Sequence, residues 1–155
     1  PGVTAGIAAP AYFGIPVTHR RAGSCVTFVT GHEEIDKARP GVDWRGLARS
    51  SDGLVIYMGL HNLRHIAEEL LAGGLAGDTP AAIVQQGTVV GQRLLLSPLA
   101  ELADRAEADG FASPSIVVVG DVLKGWSQTR SITCENAGLI EENLEYAWTQ
   151  NASTS

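Results

Sequence analysis

The feature that most constrains the fold of this chain is a series of short, nearly continuous apolar runs separated by glycine-rich or polar turns. Such runs are typical of strands buried on both faces of a sheet, because a strand with one wet face alternates apolar and polar residues. The predicted strands are Cys25 to Val29, Leu54 to Tyr57, Ala81 to Gln85, Arg93 to Ser97 and Ser115 to Val119. The pattern therefore predicts a sheet covered on both faces.

Helical patterns alternate with these strands. Residues 60 to 73 carry apolar side chains at a helical period and end in glycines. The other predicted helices are Trp44 to Arg49, Leu99 to Asp109 and a short one after Thr4, whose hydroxyl is expected to cap the N–H of Gly6 or Ile7. The short loop from Gly87 to Gly91 fits an antiparallel hairpin. We predict a three-layer α/β domain around a mixed, mostly parallel, five-stranded sheet.

The charge of the 155-residue chain bears on its partners. It has 11 Lys and Arg against 17 Asp and Glu, a net charge of −6. A field of this sign repels a phosphate backbone, and no basic stripe offsets it, so we expect no nucleic-acid partner. No apolar run approaches the roughly 20 residues of a membrane span, so we expect no membrane partner either.

The two cysteines, Cys25 and Cys134, lie far apart and fit no metal-ligand spacing. We expect reduced thiols in a cytoplasmic protein, where disulfides are rare. The chain begins with Pro1 rather than Met, so we expect a fragment or a processed product. From Lys124 the composition shifts to Ser, Thr, Asn and Glu, which indicates a tail over residues 124–155, with a helix around Leu139 to Trp148.

Common catalytic motifs are absent from the sequence. His61 and His65 share one face of a predicted helix, but a zinc site needs a further ligand and none stands out, so we expect no metal. Several glycines, Gly59 and Gly87 among them, lie at predicted element ends, where a backbone can approach a ligand closely. Turn chemistry explains most of them equally well. At one edge of a sheet, such turns would form the crevice in which α/β folds bind small molecules.

Short sequence words are more specific than these patterns. They include Pro1-Gly2-Val3-Thr4-Ala5, Ala8-Ala9-Pro10-Ala11-Tyr12, Gly14-Ile15-Pro16-Val17-Thr18-His19-Arg20, Phe28-Val29-Thr30-Gly31-His32, Val55-Ile56-Tyr57-Met58-Gly59 and Gly87-Thr88. In this order the words resemble the C-terminal part of the uroporphyrinogen-III C-methyltransferases, which are S-adenosylmethionine-dependent tetrapyrrole methylases. The resemblance covers about residues 1 to 123, and the residues after Leu123 do not resemble the family.

The resemblance implies a methyl donor, S-adenosyl-L-methionine, with S-adenosyl-L-homocysteine as its product, in a cleft between two α/β domains. Residues 1–20 would form the interdomain segment and first helix, and residues 21–123 the C-terminal domain. The positions that match the donor site are Thr4, Ala5, Met58 and Gly87. The catalytic residues themselves are unknown and expected upstream of residue 1.

The resemblance further implies methylation of uroporphyrinogen III at C2 and C7 to precorrin-2, for siroheme or cobalamin, by a homodimer. Arg20 matches the arginine of the family's Thr-His-Arg word. Because arginine binds carboxylates through paired hydrogen bonds, we expect Arg20 to bind this substrate of eight carboxylates, with Tyr57 at the pocket wall.

Simpler readings stay open. On sequence alone Met58 fits ordinary core packing, and Arg20 fits a solvated surface side chain. Methylation of another precorrin or cobalt-precorrin is one alternative function. A non-catalytic interaction or dimerisation module is a second, since we expect this piece alone to be inactive.

Overall fold

The computed structural model describes residues 1–31, 41–126 and 130–133. The strands are β1 (Val26–Thr30), β2 (Gly53–Tyr57), β3 (Pro80–Gln85), β4 (Arg93–Pro98), β5 (Ser115–Gly120) and β6 (Arg130–Thr133). The helices are α1 (Ala5–Ala11), α2 (Trp44–Ser50), α3 (Leu63–Ala72) and α4 (Leu102–Ala108). Short 3-10 turns at 60–62 and 99–101 lead into α3 and α4, and a third spans Asp121–Trp126. All five predicted strands are present, each within one residue of its predicted bounds.

The strands form one sheet in the order β1-β2-β5-β3-β4-β6. The pair β1–β2 is parallel, and the other neighbouring pairs are antiparallel. The mixed sheet is confirmed, but the prediction that it is mostly parallel is wrong for the described strands. The reason is the position of β5, which enters between β2 and β3 and runs against both.

One face of the sheet is covered by α2, α3 and α4. Alternate strand residues point to this face, among them Leu54 and Ile56 of β2, and pack on Leu70 of α3 and Leu102 of α4. Each such side chain, fully buried, contributes about 1.5–3 kcal/mol of hydrophobic stabilisation. The amphipathic pattern of residues 60 to 73 therefore predicted the face correctly.

The opposite face is covered by α1 and by the segment that follows it. Val55 of β2 and Val84 of β3 point to this side, where they pack with Ala9, Phe13 and Ile15. The three-layer α/β arrangement is thus confirmed for the described residues. Residues 1–20, expected to join two domains, contribute core side chains to this layer.

The strand β6 was not predicted. It pairs antiparallel with β4 at the edge of the sheet, within residues 124–155, which were expected to form a tail. Its four residues lie in a polar stretch without the apolar run that marked the other strands. The helix predicted around Leu139 to Trp148, and Cys134, lie outside the described residues.

No helix in the described ranges combines the length and the apolar composition needed to span a bilayer.

Candidate functional site

The candidate site lies at the edge of the sheet where β1, β2 and β3 end. Because β2 and β3 both run antiparallel to β5, they share a direction and their carboxyl ends meet at one edge. We call this the carboxyl edge; it carries Tyr57-Met58-Gly59 after β2 and Gln86-Gly87-Thr88 after β3. Open α/β folds bind ligands in the crevice outside such strand ends. The structure therefore brings the two predicted donor-binding turns together.

The backbone at the carboxyl edge is strained. Within the described residues, the non-glycine residues with left-handed φ are Met58 (51°), Gln86 (49°) and Thr88 (76°), and all three lie at this edge. Such conformations cost on the order of 1–3 kcal/mol each, and they cluster at functional sites. The Met58 side chain is 59% exposed, so the core-packing reading of this residue is wrong.

Helix α1 is fixed to the end of β2 by the Tyr57 hydroxyl. This oxygen lies 2.5 Å from Thr4 Oγ1 and accepts a hydrogen bond of 3.1 Å from the Gly6 N–H. The Thr4 hydroxyl makes no hydrogen bond to its own helix, so the predicted Thr4 cap is wrong. The carbonyl of Thr4 instead accepts the first helical bonds, from Ile7 and Ala8.

The other end of α1 rests on the loop after β3. A Cβ atom added to Gly87 would overlap the Cβ of Ala9 and lie 2.9 Å from its Cα. Glycine at position 87 therefore permits a close approach of the loop to α1. Helix α1 thus contacts both turns of the carboxyl edge, the end of β2 through Tyr57 and the loop after β3 through Gly87.

Two polar side chains that sequence reasoning did not assign support this edge. The side chain of Gln92, which is 93% buried, accepts a 2.8 Å hydrogen bond from the Thr88 N–H through Oε1. The Nδ2 group of Asn62 donates to the carbonyl of Gly31, the residue that follows β1, at 2.8 Å. The sequence shows a glutamine next to the predicted hairpin loop, but only the structure shows that its side chain binds the Thr88 N–H.

Glycines at the carboxyl edge pack against one another. The Gly31 N–H donates to the Tyr57 carbonyl at 2.7 Å, and a Cβ added to Gly31 would overlap the Cα of Gly59. These glycines allow β1 and β2 to end side by side. Turn and packing requirements therefore explain Gly31 and Gly59 without a ligand.

Exposed apolar side chains surround the start of α1. Val3 is 71% and Ile7 41% exposed, and Phe28 of β1 lies with its ring centroid 6.4 Å from that of Tyr57. Met58, which follows Tyr57, is also exposed, and we call Val3, Ile7, Phe28 and Met58 the apolar rim. A ligand with an apolar ring system would find contact area here.

Arg20 lies away from this surface. It belongs to a turn in which His19 pairs with Gly23, just before β1 begins. The start of β1 neighbours the start of β2, because the carbonyl of Cys25 accepts from the Gly53 N–H. Arg20 is exposed, but it is at the amino-terminal edge of these strands, and the structure does not bring it beside Tyr57.

The amino-terminal edge has its own polar contact. One carboxylate oxygen of Asp52 accepts hydrogen bonds from the N–H groups of Cys25, at 3.0 Å, and Ser24, at 2.9 Å. These backbone bonds hold the pKa of the Asp52 carboxyl below its ordinary value of 3.8. These hydrogen bonds connect the residues that precede β1 to the residue that precedes β2.

A second concavity, of about 440 Å³, opens between α3 and α4. Its Arg64 is paired with Asp104 at 2.7 Å and Glu107 at 3.2 Å. Those partners raise the pKa of the Arg64 guanidinium, the hydrogen bond to Asp104 most of all. His61 lines the same cleft, but in the described part of the chain no group of three or more His, Cys, Asp or Glu could hold a metal ion.

The fold defines a class: a three-layer α/β domain with a mixed sheet and a candidate small-molecule site at the ends of its strands. The family model of the tetrapyrrole (corrin/porphyrin) methylases matches residues 1–103. The chain therefore belongs to the tetrapyrrole methylase family, and the resemblance seen in the sequence is confirmed.

Curated relatives agree with this assignment. Over 123 residues the chain is 48% identical to a uroporphyrinogen-III C-methyltransferase of Synechocystis, covering 79% of this chain and 47% of the relative. It is 41% identical over 148 residues to a siroheme synthase of Neisseria meningitidis, covering 96% of this chain and 29% of the relative. The second match extends past Leu123, so the prediction that the later residues do not resemble the family is wrong. The chain spans about half the length of the first relative and less than a third of the second.

A solved structure has the same fold. The uroporphyrin-III C-methyltransferase of Thermus thermophilus, complexed with S-adenosylhomocysteine, matches with a TM-score of 0.63 and 28% identity. The match covers 80% of this chain and 52% of that one.

Proposed function

We propose that the protein to which this chain belongs transfers methyl groups from S-adenosylmethionine to C2 and C7 of uroporphyrinogen III, giving precorrin-2. The single observation that carries the proposal is the carboxyl edge, where α1 joins the exposed Met58 to Gly87 within a tetrapyrrole methylase fold. Relatives named as uroporphyrinogen-III C-methyltransferases and siroheme synthases support the substrate.

The residues at the carboxyl edge fit the methyl donor. Its adenine has flat aromatic faces that can pack on apolar groups, and Met58, which carries a soft thioether, is exposed and has a left-handed backbone. The Thr4 and Ala5 side chains are small and exposed, which leaves room beside them. We propose that Thr4, Ala5, Met58 and Gly87 contact the donor, with backbone groups of the Gly87 loop as hydrogen-bond partners.

When bound, the sulfonium donor supplies an activated methyl group, so no strong nucleophile of the protein is required. The contribution of this chain is then to hold the donor in place and to keep water from one side of it. The apolar rim would serve the second purpose. The catalytic residues, predicted to lie upstream of residue 1, stay a prediction.

We propose Arg20 as a contact for substrate carboxylates. Its guanidinium would pair with a carboxylate through two parallel hydrogen bonds. Arg20 lies at the amino-terminal edge, away from Met58. It would therefore bind a part of the substrate distant from Met58, or bind the substrate of the other subunit in a homodimer. Homodimerisation and a cytoplasmic location remain predictions, as does Tyr57 as part of the substrate pocket wall.

The test is the mass of the tetrapyrrole after anaerobic incubation of the whole protein, as its gene encodes it, with S-adenosylmethionine and uroporphyrinogen III. We expect a gain of two methyl groups. No gain from a folded protein that binds the donor would transfer the proposal to another precorrin or cobalt-precorrin as substrate. Absence of donor binding would refute it and favour the non-catalytic module.

A further inference from the structure

The Tyr57 hydroxyl is committed to α1 and not to the open side of the site. It contacts Thr4 Oγ1 at 2.5 Å and accepts from the Gly6 N–H at 3.1 Å. A phenol hydroxyl has one proton to donate and accepts with its lone pairs. The Gly6 N–H occupies one acceptor position of the Tyr57 oxygen, and the phenol proton remains available for donation to Thr4.

Either hydroxyl can donate in the Thr4–Tyr57 bond, and acidity favours Tyr57 as the donor. A phenol, with a pKa near 10, is a better proton donor than an aliphatic alcohol. If the Tyr57 O–H donates to Thr4 Oγ1, the Thr4 proton remains available for a third group. Thr4 is exposed, so a group bound beside α1 could accept that proton.

The absence of a side chain at Gly6 leaves room for the Tyr57 hydroxyl. A Cβ atom at position 6 would overlap the Tyr57 hydroxyl and lie 2.8 Å from the Val55 Cγ1 atom. Any larger residue at position 6 would push the hydroxyl away from Thr4. The residue that follows Tyr57 is Met58, which has a left-handed backbone and is exposed. One side chain thus connects both elements that border the proposed donor.

We propose that Tyr57 is a positioning residue: its hydroxyl fixes Thr4 and the first turn of α1 so that the Thr4 hydroxyl donates to the bound methyl donor. The inference rests on the proposed function and adds to it a role for Tyr57 and Gly6. Tyr57 touches α1 through its hydroxyl and acts on the donor through Thr4.

The experiment measures the dissociation constant of S-adenosylhomocysteine by calorimetry, using the whole protein and the variants Tyr57→Phe, Thr4→Val and the double variant. Loss of one hydrogen bond predicts that each single variant binds about five- to tenfold more weakly. Because both changes remove one shared interaction, the double variant should bind no more than about twofold more weakly than Thr4→Val alone.

A second comparison separates positioning from a general loss of structure. Tyr57→Phe should raise the KM for S-adenosylmethionine and leave the KM for the tetrapyrrole within about twofold of the wild-type value. Gly6→Ala, which keeps every hydroxyl, should reproduce the Tyr57→Phe loss of affinity. Ala100→Gly, at an exposed position away from the site, is the control variant and should bind S-adenosylhomocysteine as the wild type does.

Each outcome bears on one claim. Wild-type protein that binds no S-adenosylhomocysteine would overturn the proposed function itself. Wild-type binding with unchanged affinity in Tyr57→Phe would overturn the positioning role alone. Fully additive losses in the double variant, or a raised KM for the tetrapyrrole in Tyr57→Phe, would show that Tyr57 contacts a ligand directly.

Discussion

Met58 is the residue at which conformation and exposure conflict most with ordinary packing. It has a φ of 51° and a side chain that is 59% exposed. A left-handed backbone at a non-glycine residue costs roughly 1–2 kcal/mol. Neither burial nor a turn glycine offsets this cost, which agrees with a side chain directed at a ligand.

Replacing Met58 with glycine should therefore separate stability from binding. We expect Met58→Gly to leave the free energy of unfolding unchanged or raise it by up to about 1 kcal/mol, since glycine adopts left-handed φ readily. The same change should weaken binding of S-adenosylhomocysteine about tenfold or more, because an apolar contact is lost. Urea unfolding and calorimetry measure the two effects.

Met58→Leu is the matched control, since it keeps an apolar side chain of similar volume. It should retain affinity to within about threefold of wild type. Equal affinity in Met58→Gly and wild type would contradict a role for this side chain at the donor.

Helix α1 is the element on which the carboxyl edge depends. Its first turn is hydrogen-bonded to the Tyr57 hydroxyl at the end of β2, and Ala9 packs against Gly87 after β3. The position of α1 therefore depends on the ends of both β2 and β3. With seven residues, it is shorter than an isolated helix needs to be for stability in water. Tertiary contacts hold it, and a change at either contact should move it.

Gly87→Ala tests the second contact. The added methyl group would overlap Ala9, and overpacking of this kind costs about 1–3 kcal/mol. We expect the free energy of unfolding to fall by that amount and donor affinity to fall with it. Gly77→Ala is the control, because its Cβ would lie 3.4 Å from that of Ala100, an ordinary contact. If the two variants were equally stable, the close approach of the loop to α1 would be wrong.

The hydrogen bonds of Asp52 to the residues before β1 should make the stability of the protein depend on pH. The folded-state pKa of Asp52 lies below that of the unfolded chain, so its contribution is present above the unfolded value and lost as pH falls through the folded one. The stability difference between wild type and Asp52→Asn should therefore shrink as the pH falls from the ordinary carboxyl range through the lowered pKa of Asp52. Chemical unfolding at several pH values measures it.

The exposed Asp78 offers a matched control for this experiment. Asp78→Asn removes one exposed carboxylate and leaves the hydrogen bonds of Asp52 to Ser24 and Cys25 in place. A difference between wild type and Asp52→Asn that stays constant over the acid range would contradict the hydrogen-bonded carboxylate.

The elements of the fold were predictable to different degrees. Strands such as β2 and β5 were readable because their residues are buried on both faces. Their order was not, since an apolar run shows that a strand is buried but not which neighbour it has. The strand β6 lacked the run altogether, and pairing with β4 alone defines it.

At the scale of the whole molecule, the sheet separates two regions that the sequence placed in one site. Thr4, Met58 and Gly87 converge at the carboxyl edge, whereas Arg20 lies where β1 and β2 begin. Residue types alone did not single out the proposed donor positions; they were predicted from the resemblance to the family. The roles of Gly6 and Gln92 required coordinates, because each depends on a contact with a residue distant in sequence or a loop shape.

The central claim is that the carboxyl edge binds the methyl donor, and amide hydrogen exchange tests it most directly. The whole protein is compared with and without saturating S-adenosylhomocysteine, and exchange is followed peptide by peptide. We expect slower exchange in residues 3–9, 57–59 and 86–92, and no change in residues 18–24. Protection confined to residues around Asp52, or none at any of these segments, would contradict it.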